Sequence, residues 1–264
     1  MATIYIEITN ICNAKCQHCP LRDILYGDKL MDITTFTNIL EKFKKHFNKI
    51  SVVIGGGEPS LISNLFEYVQ IAKKYASIVT VVTNGSNIDN VIRSKPDIIE
   101  ISFNSFTRSV EDKIYGIPIF IRKLSALLKV LEYPNIFLLV RYTLTKDNFD
   151  DAVVLRMFLD RLDPNIPMFV VPIKGVPEKR PIPEQLRALN ELDNVFIENY
   201  CPAGKTFFAI DVDGNIMSCF ITRHKIGTIN NIEDAIKNGK NVKEFECEDN
   251  DDYIKLLKSL RKKI

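Results

Sequence analysis

Three cysteines near the N-terminus have a spacing that suits a shared metal centre. Cys12, Cys16 and Cys19 form a C-x3-C-x2-C pattern directly after a short apolar stretch. A loop with this spacing can wrap one compact centre, and three thiolates would fill three corners of a cubane iron–sulfur cluster and leave the fourth iron open. A zinc site is an alternative, because His18 is available as a fourth ligand. The spacing alone leaves both alternatives open.

The glycine run Gly55-Gly56-Gly57-Glu58-Pro59 is a second candidate site. Glycines let the backbone approach a ligand closely and offer its polar groups as hydrogen-bond partners. A phosphate-binding loop would need a Lys followed by Ser or Thr after the glycines, and the sequence has neither there. An ordinary turn between a strand and a helix is the remaining alternative.

Alternating strand and helix patterns would position both sites. Strand patterns occur at residues 4–8, 50–54, 78–82, 98–103, 136–142 and 168–172. Helical patterns occur at residues 33–47, 61–75, 86–93, 119–131 and 149–161, and Asp32 is predicted to cap the first of these helices. This α/β order predicts a parallel sheet or barrel. In a barrel, the loops after the strands carry the chemistry.

The pattern changes after Lys174. Glycine and prolines between residues 175 and 183 predict a linker, and Asp213-Gly214 between two apolar runs predicts a β-hairpin. A helix is predicted at residues 249–264. We therefore expect a core at residues 1–190 and a small α+β extension, a hairpin plus a helix, at residues 191–264.

The segment from Glu7 to Pro20 resembles the cluster-binding loop of the radical S-adenosylmethionine (SAM) superfamily. His18 stands at the aromatic position of that motif, which packs near the cofactor. Gly56, Gly57 and Glu58 resemble the motif that binds the amino group of SAM. The resemblance covers about residues 3–175 and implies a partial (β/α)6 TIM-like barrel. It also implies a [4Fe–4S] cluster on Cys12, Cys16 and Cys19 that binds SAM.

Four further residues resemble positions that contact SAM in this superfamily. Ser102 and Asn104 resemble the residues that bind the ribose hydroxyls. Arg141 could pair with the SAM carboxylate because a guanidinium matches its shape, although a structural arginine is the alternative. Val170 stands where family members contact adenine through the backbone.

The remaining cysteines, Cys201, Cys219 and Cys247, form a second group. The pattern C-x12-G-x4-C from Cys201 to Cys219 resembles the start of the SPASM and twitch extensions, which bind auxiliary iron–sulfur clusters. Three cysteines allow one auxiliary cluster at most, which favours the shorter twitch type. The alternative is a purely structural group that holds zinc, and the sequence does not select a fourth ligand.

The resemblance implies that the protein cleaves SAM reductively to a 5′-deoxyadenosyl radical, which abstracts a hydrogen atom from a substrate. A net oxidation of a small polyol-like molecule or a peptide side chain is the favoured reaction, with flavodoxin or ferredoxin as an electron donor. The alternatives are a radical isomerase or carbon–carbon bond-forming enzyme, and a zinc-stabilised binding module. No catalytic acid or base and no oligomeric state are predicted.

The composition is ordinary for a soluble globular protein. The chain has 264 residues, of which 46% are hydrophobic and 26% charged, and its net charge is +2. This small, dispersed charge does not indicate a nucleic-acid or membrane partner. Because the first strand begins at once and the cysteines suit metal ligation, we expect a cytoplasmic protein without a signal peptide.

Overall fold

A single mixed sheet organises the part of the chain that the computed structural model describes, residues 1–16, 18–22, 24–248 and 250–260. Its strands there are β1 (Ala2–Thr9), β2 (Ile50–Gly56), β3 (Val79–Thr83), β4 (Ile98–Phe103), β5 (Phe137–Leu144), β6 (Met168–Pro172), β7 (Val195–Ile197), β8 (Phe207–Ile210), β9 (Asn215–Met217) and β10 (Lys225–Thr228). The helices are α1 (Ile33–His46), α2 (Leu65–Tyr75), α3 (Ile88–Ser94), α4 (Arg108–Tyr115), α5 (Phe120–Leu131), α6 (Phe149–Leu162), α7 (Pro183–Asn190), α8 (Ile232–Gly239) and α9 (Asp251–Ser259). Among these helices, none combines the length and apolar character that crossing a bilayer requires.

The strand order is β10-β9-β8-β1-β2-β3-β4-β5-β6-β7. Strands β1 to β7 pair with their neighbours in parallel, and helices follow β1 to β6. Parallel strands need such crossovers, which cover the sheet and bury its apolar side chains. The arrangement confirms the predicted α/β class and the partial TIM-like barrel.

Helix α1 shows how the sequence pattern produces an element of this barrel. Asp32 accepts a hydrogen bond from the Thr35 amide at 2.9 Å, which confirms the predicted cap. The helix buries one apolar face, made of Phe36, Ile39, Leu40 and Phe43. Each such side chain contributes roughly 1.5–3 kcal/mol of hydrophobic stabilisation. The ring of Phe43 also lies 5.4 Å from that of Phe208 on β8, so α1 connects the N-terminal and C-terminal parts.

The C-terminal part continues the barrel sheet. Strands β8 and β9 form the predicted antiparallel hairpin, and β8 pairs in parallel with β1. Sequence patterns did not predict β7, β10, α4 or α8. The predicted C-terminal helix is observed as α9, while residues 249 and 261–264 of that prediction lie outside the described residues. The division of the chain after residue 190 stays a prediction.

Candidate active site

A cavity of about 380 Å³ extends from the barrel interior to the carboxyl ends of the strands. Its wall includes Cys12, Cys16, Cys19 and His18 from the loop after β1. The wall also includes the predicted SAM-site residues Gly56, Gly57, Glu58, Ser102 and Arg141. The fold therefore places the N-terminal cysteines and most of the predicted SAM-contacting residues around one space.

The glycine run fixes the beginning of the cysteine loop. The amides of Gly57 and Glu58 donate hydrogen bonds to the carbonyls of Thr9 and Ile11, at 2.7 and 2.8 Å. A Cβ atom at Gly57 would lie 2.0 Å from the Ile11 oxygen. Gly56 has a φ of +106°, and its Cβ would lie 2.5 Å from the Thr9 oxygen. Only glycine permits this contact between β2 and the cysteine loop.

Glu58 connects the glycine turn to the end of β3. Its carboxylate accepts hydrogen bonds from the Thr83 hydroxyl at 2.6 Å and the Asn84 amide at 2.7 Å. Burial raises the pKa of Glu58, and these hydrogen bonds oppose the rise. The Asn84 side chain then donates to the Asn13 side chain at 3.0 Å, inside the cysteine loop. Glu58 thus holds two loops of the site together, besides lying on the cavity wall.

The three thiols of the loop interact electrostatically. Burial raises the pKa of Cys12 to about 11 and that of Cys16 to about 12, and the neighbouring Cys19 raises both. Backbone amides act in the opposite direction. Those of Ala14 and Asn13 lower the pKa of Cys12, and that of Leu21 lowers the pKa of Cys19. Hydrogen-bond donors directed at sulfur are what a bound thiolate requires.

This donor set fits a [4Fe–4S] cluster with one open corner. Three half-buried thiols share a cavity wall and face a space that can admit a further ligand. Within the described ranges, no three His, Cys, Asp or Glu side chains converge on the position that a single metal ion would occupy. A cubane differs from a single ion because its irons lie at separate corners.

The other predicted SAM residues fall in different places. Ser102 and Arg141 are register partners on β4 and β5, and both line the cavity. Asn104 is buried behind the wall, where it donates to the Tyr115 hydroxyl at 2.8 Å. Val170 is buried in β6, and its carbonyl accepts a hydrogen bond from the Glu198 amide at 2.9 Å. The structure therefore does not bring Asn104 or Val170 to the cavity wall with the others.

Arg141 is held by two neighbours. Its guanidinium forms an ion pair with Glu100, which is buried on the adjacent strand β4. The same group lies 5.2 Å from the centre of the Phe169 ring. The carboxylate of Glu100 and the ring of Phe169 restrict the rotation of the guanidinium, so its N–H donors point in a defined direction. His18 is oriented less tightly, with its ring 6.1 Å from that of Tyr115 in an edge contact.

The three cysteines of the second group come from distant parts of the chain and lie near one another. Cys201 follows β7, Cys219 follows β9, and Cys247 precedes α9. Burial raises the pKa of Cys247 to about 11, Lys174 lowers it, and Cys219 and Cys201 raise it further. The Ile221 amide donates a hydrogen bond to the Cys219 sulfur at 3.4 Å. The three thiols are therefore close enough to influence one another.

Tyr5 and Lys174 are among the residues of the cavity wall that sequence reasoning missed. The Tyr5 hydroxyl accepts a hydrogen bond from the Gly56 amide at 3.0 Å, and its ring stacks on Phe220. Lys174 has a side chain that is 5% exposed and pairs with Glu198 at 3.1 Å. The charge of Lys174 also lowers the pKa of Cys247, so Lys174 lies between the cavity and the second cysteine group. Its position two residues after β6, at a strand end, was the available signal.

Comparison with known proteins identifies the family. The model of the radical SAM superfamily matches residues 6–159, which is more than half of the chain. The protein belongs to the radical SAM superfamily. Proteins described as probable GTP 3′,8-cyclase from strains of Saccharolobus islandicus are 24% identical over 152 residues, 56% of this chain and 49% of theirs. The chain thus matches about half the length of these curated relatives.

Solved structures share the fold over nearly the whole chain. Native anSMEcpe with bound AdoMet is 15% identical, with a TM-score of 0.72 and coverage of 97% of this chain and 88% of that chain. Streptococcus suis SuiB bound to the precursor peptide SuiA is 16% identical, with a TM-score of 0.68 and coverage of 99% and 67%. At such identities the likeness demonstrates the fold alone.

Proposed function

We propose that this radical SAM enzyme cleaves SAM reductively at a [4Fe–4S] cluster held by Cys12, Cys16 and Cys19, and uses the resulting radical to abstract hydrogen from a substrate. One observation carries the proposal. The three thiols share a cavity with the Gly56-Gly57-Glu58 turn, Ser102 and Arg141. Family membership supports the same cofactors.

The cluster, when bound, supplies the electron that divides SAM into methionine and the 5′-deoxyadenosyl radical. The chain's own residues would position SAM for that chemistry. The backbone of Gly56 and Gly57 would receive its amino group, and the Arg141 guanidinium its carboxylate. Ser102, beside Arg141 in the sheet, would bind a ribose hydroxyl. The largely apolar barrel wall would exclude water from the radical.

The reaction that we propose is a net two-electron oxidation of the substrate. Loss of a hydrogen atom to the 5′-deoxyadenosyl radical removes one electron and one proton. The substrate radical then loses a second electron and releases a second proton to solvent. An auxiliary cluster on Cys201, Cys219 and Cys247, in an extension that spans residues 191–264, would accept that second electron. Lys174 supports this arrangement because it lies on the cavity wall and acts on Cys247.

The substrate class that we propose is a peptide side chain or a small polyol-like molecule. A cavity of about 380 Å³ has room for a small group beside SAM, while a peptide would have to reach in from outside. The peptide alternative is supported by the relatives of the same fold that were solved with peptides, anSMEcpe with the Cp18Cys peptide and SuiB with SuiA. A flavodoxin or ferredoxin would supply the reducing electron.

A bond-forming reaction is the second candidate. It is favoured by the likeness of the barrel part to proteins described as GTP 3′,8-cyclases, whose name denotes ring closure. In such a reaction the product would not be oxidised by two electrons. The second cysteine group would then anchor the substrate instead of accepting an electron.

Reconstitution under anaerobic conditions tests the proposal. The protein should bind about eight irons, and the triple variant Cys12→Ala, Cys16→Ala, Cys19→Ala about four. With dithionite, the parent protein should release 5′-deoxyadenosine from SAM and the triple variant none. A zinc-stabilised binding module would instead bind zinc and leave SAM intact. Once a substrate is found, a two-electron-oxidised product supports the oxidation, and an isomeric or cyclised product supports the second candidate.

A further inference from the structure

A fully buried ion pair lies behind the first cysteine group. The Lys123 ammonium on α5 and the Glu111 carboxylate on α4 are 2.5 Å apart, and neither side chain is exposed. Burial lowers the pKa of Lys123 and raises that of Glu111, and each charge opposes the shift of the other. Moving two charges out of water costs several kcal/mol for each ion. Apolar residues of similar size would serve stability as well, so this pair invites a functional explanation.

The lysine end of the pair faces the cysteine loop through one aromatic ring. The Lys123 ammonium lies 3.2 Å from the centre of the Tyr115 ring. The Tyr115 carbonyl accepts a hydrogen bond from the Lys15 amide at 2.8 Å. Lys15 lies between Cys12 and Cys16 in the cysteine loop. Tyr115 also belongs to a small apolar cluster against which Cys12 and Cys16 pack. The ammonium is therefore adjacent to the loop that would hold the cluster.

The glutamate end faces away, toward the end of β4. The Glu111 carboxylate accepts a hydrogen bond from the Asn104 amide at 3.2 Å. The Asn104 side chain in turn bonds to the Tyr115 hydroxyl. The ammonium of the pair thus faces the Tyr115 ring, against which Cys12 and Cys16 pack, while the carboxylate is bonded to the residue after β4.

We propose that Lys123, held in place by Glu111 and Tyr115, is a positioning residue that raises the reduction potential of the first cluster. The proposal rests on the proposed function, because it requires that Cys12, Cys16 and Cys19 hold the cluster. Reduction adds one negative charge to the cluster. A fixed positive charge in a low-dielectric surrounding stabilises that added charge. No geometry of the cluster itself is needed for this sign.

The midpoint potential of the first cluster tests the proposal. It is measured on the anaerobically reconstituted protein by a redox titration followed by electron paramagnetic resonance. The second cysteine group is replaced by alanine in every sample, so that one signal is observed. In the double variant Lys123→Met, Glu111→Gln, the reduction equilibrium constant should fall by about tenfold, a downward shift of about 59 mV. Lys129→Met is the matched control, because Lys129 is a half-exposed lysine on the same helix. It should leave the potential unchanged.

Lys123→Arg separates charge from packing. It keeps a positive charge at the same position and should hold the potential near that of the parent protein. If the double variant does not fold, Lys123→Met alone is compared with Lys123→Arg. The inference is overturned if the double variant has the same potential as the parent protein at equal iron content. Where the double variant does not fold, the same result for Lys123→Met alone overturns it. A parent protein that binds no iron would instead overturn the proposed function.

Discussion

The two cysteine groups differ in how the chain assembles them. Cys12, Cys16 and Cys19 lie on one loop, and their contacts come from neighbouring strand ends, such as the Gly57 and Glu58 amides. Cys201, Cys219 and Cys247 come from three separate elements, which meet only when β7, β9 and α9 are in place. A local motif keeps its ligands close even before the fold forms. The second group depends on every pairing that attaches the C-terminal part to the barrel.

Single cysteine variants should show the largest contrast between the groups. Cys16→Ala should reduce 5′-deoxyadenosine formation to background, because the first cluster would lose a ligand. Cys247→Ala should leave SAM cleavage within about twofold and remove only the second cluster, about four irons. Product analysis and iron counts on both variants measure this. Loss of SAM cleavage in Cys247→Ala would show that the two groups are not independent.

Gly57→Ala should damage the first group alone. Its Cβ would press on the Ile11 carbonyl, which must move and take the cysteine loop with it. We expect a loss of about 2 kcal/mol or more in the free energy of unfolding, together with a lower iron content at the first site. Gly175→Ala is the control, because Gly175 has open space around its Cβ position; its positive φ adds a backbone strain that Gly57 does not have.

The control should cost about 1–2 kcal/mol through backbone strain and leave the iron content unchanged. Denaturant unfolding and iron analysis of both variants make the comparison. Equal iron contents in Gly57→Ala and Gly175→Ala would mean that the close contact at Ile11 is not needed for cluster binding.

Glu58→Gln should have an intermediate effect. Glutamine keeps the shape of the side chain, but one of its two oxygens is replaced by an NH2 group, which donates and cannot accept. The hydrogen bond from either the Thr83 hydroxyl or the Asn84 amide is therefore lost. A loss of about 1–3 kcal/mol in stability should follow, with weaker SAM binding. Calorimetric titration with SAM measures the affinity. Glu67→Gln, at an exposed position on α2, is the control and should behave like the parent protein.

Arg223→Met should have the smallest effect and concerns the attachment of the C-terminal part. Arg223 pairs with buried Glu7 on β1 at 2.7 Å. Burial raises the pKa of Glu7, and Arg223 opposes the rise, so the variant should raise it further. A carboxyl with a raised folded-state pKa contributes stability below its unfolded pKa, and that contribution is lost as pH rises through the folded value.

The stability deficit of Arg223→Met should therefore be larger at about pH 8 than at about pH 5, and reach about 1 kcal/mol because Arg223 is partly exposed. Lys29→Met, which removes an exposed pair with Asp213 on the same face, should change little at either pH. Thermal unfolding at both pH values gives the comparison. A deficit that is independent of pH would show that Glu7 does not titrate in this range.

Much of the barrel and half of the site could be predicted from local patterns. Strand periodicity identified six of the parallel strands, and the spacing of Cys12, Cys16 and Cys19 identified the ligand loop, because both signals act over a few residues. Helix α4 was not predicted. It is short, and its polar residues include Glu111, which is stabilised by a lysine on another helix.

The sequence by itself determined the ligand types, the glycine turn and the order of βα units. Tertiary structure alone decided which side chains share the cavity. The side-chain amide of Asn104 donates to the Tyr115 hydroxyl and accepts from the Thr143 amide, and these bonds hold it behind the cavity wall. Lys174, in contrast, lies on the cavity wall. Tertiary structure also decided that β8 pairs with β1 and that Cys201, Cys219 and Cys247 lie near one another. The physical reason is that burial and long-range pairing depend on the whole fold, whereas turns and spacings depend on neighbours in the chain.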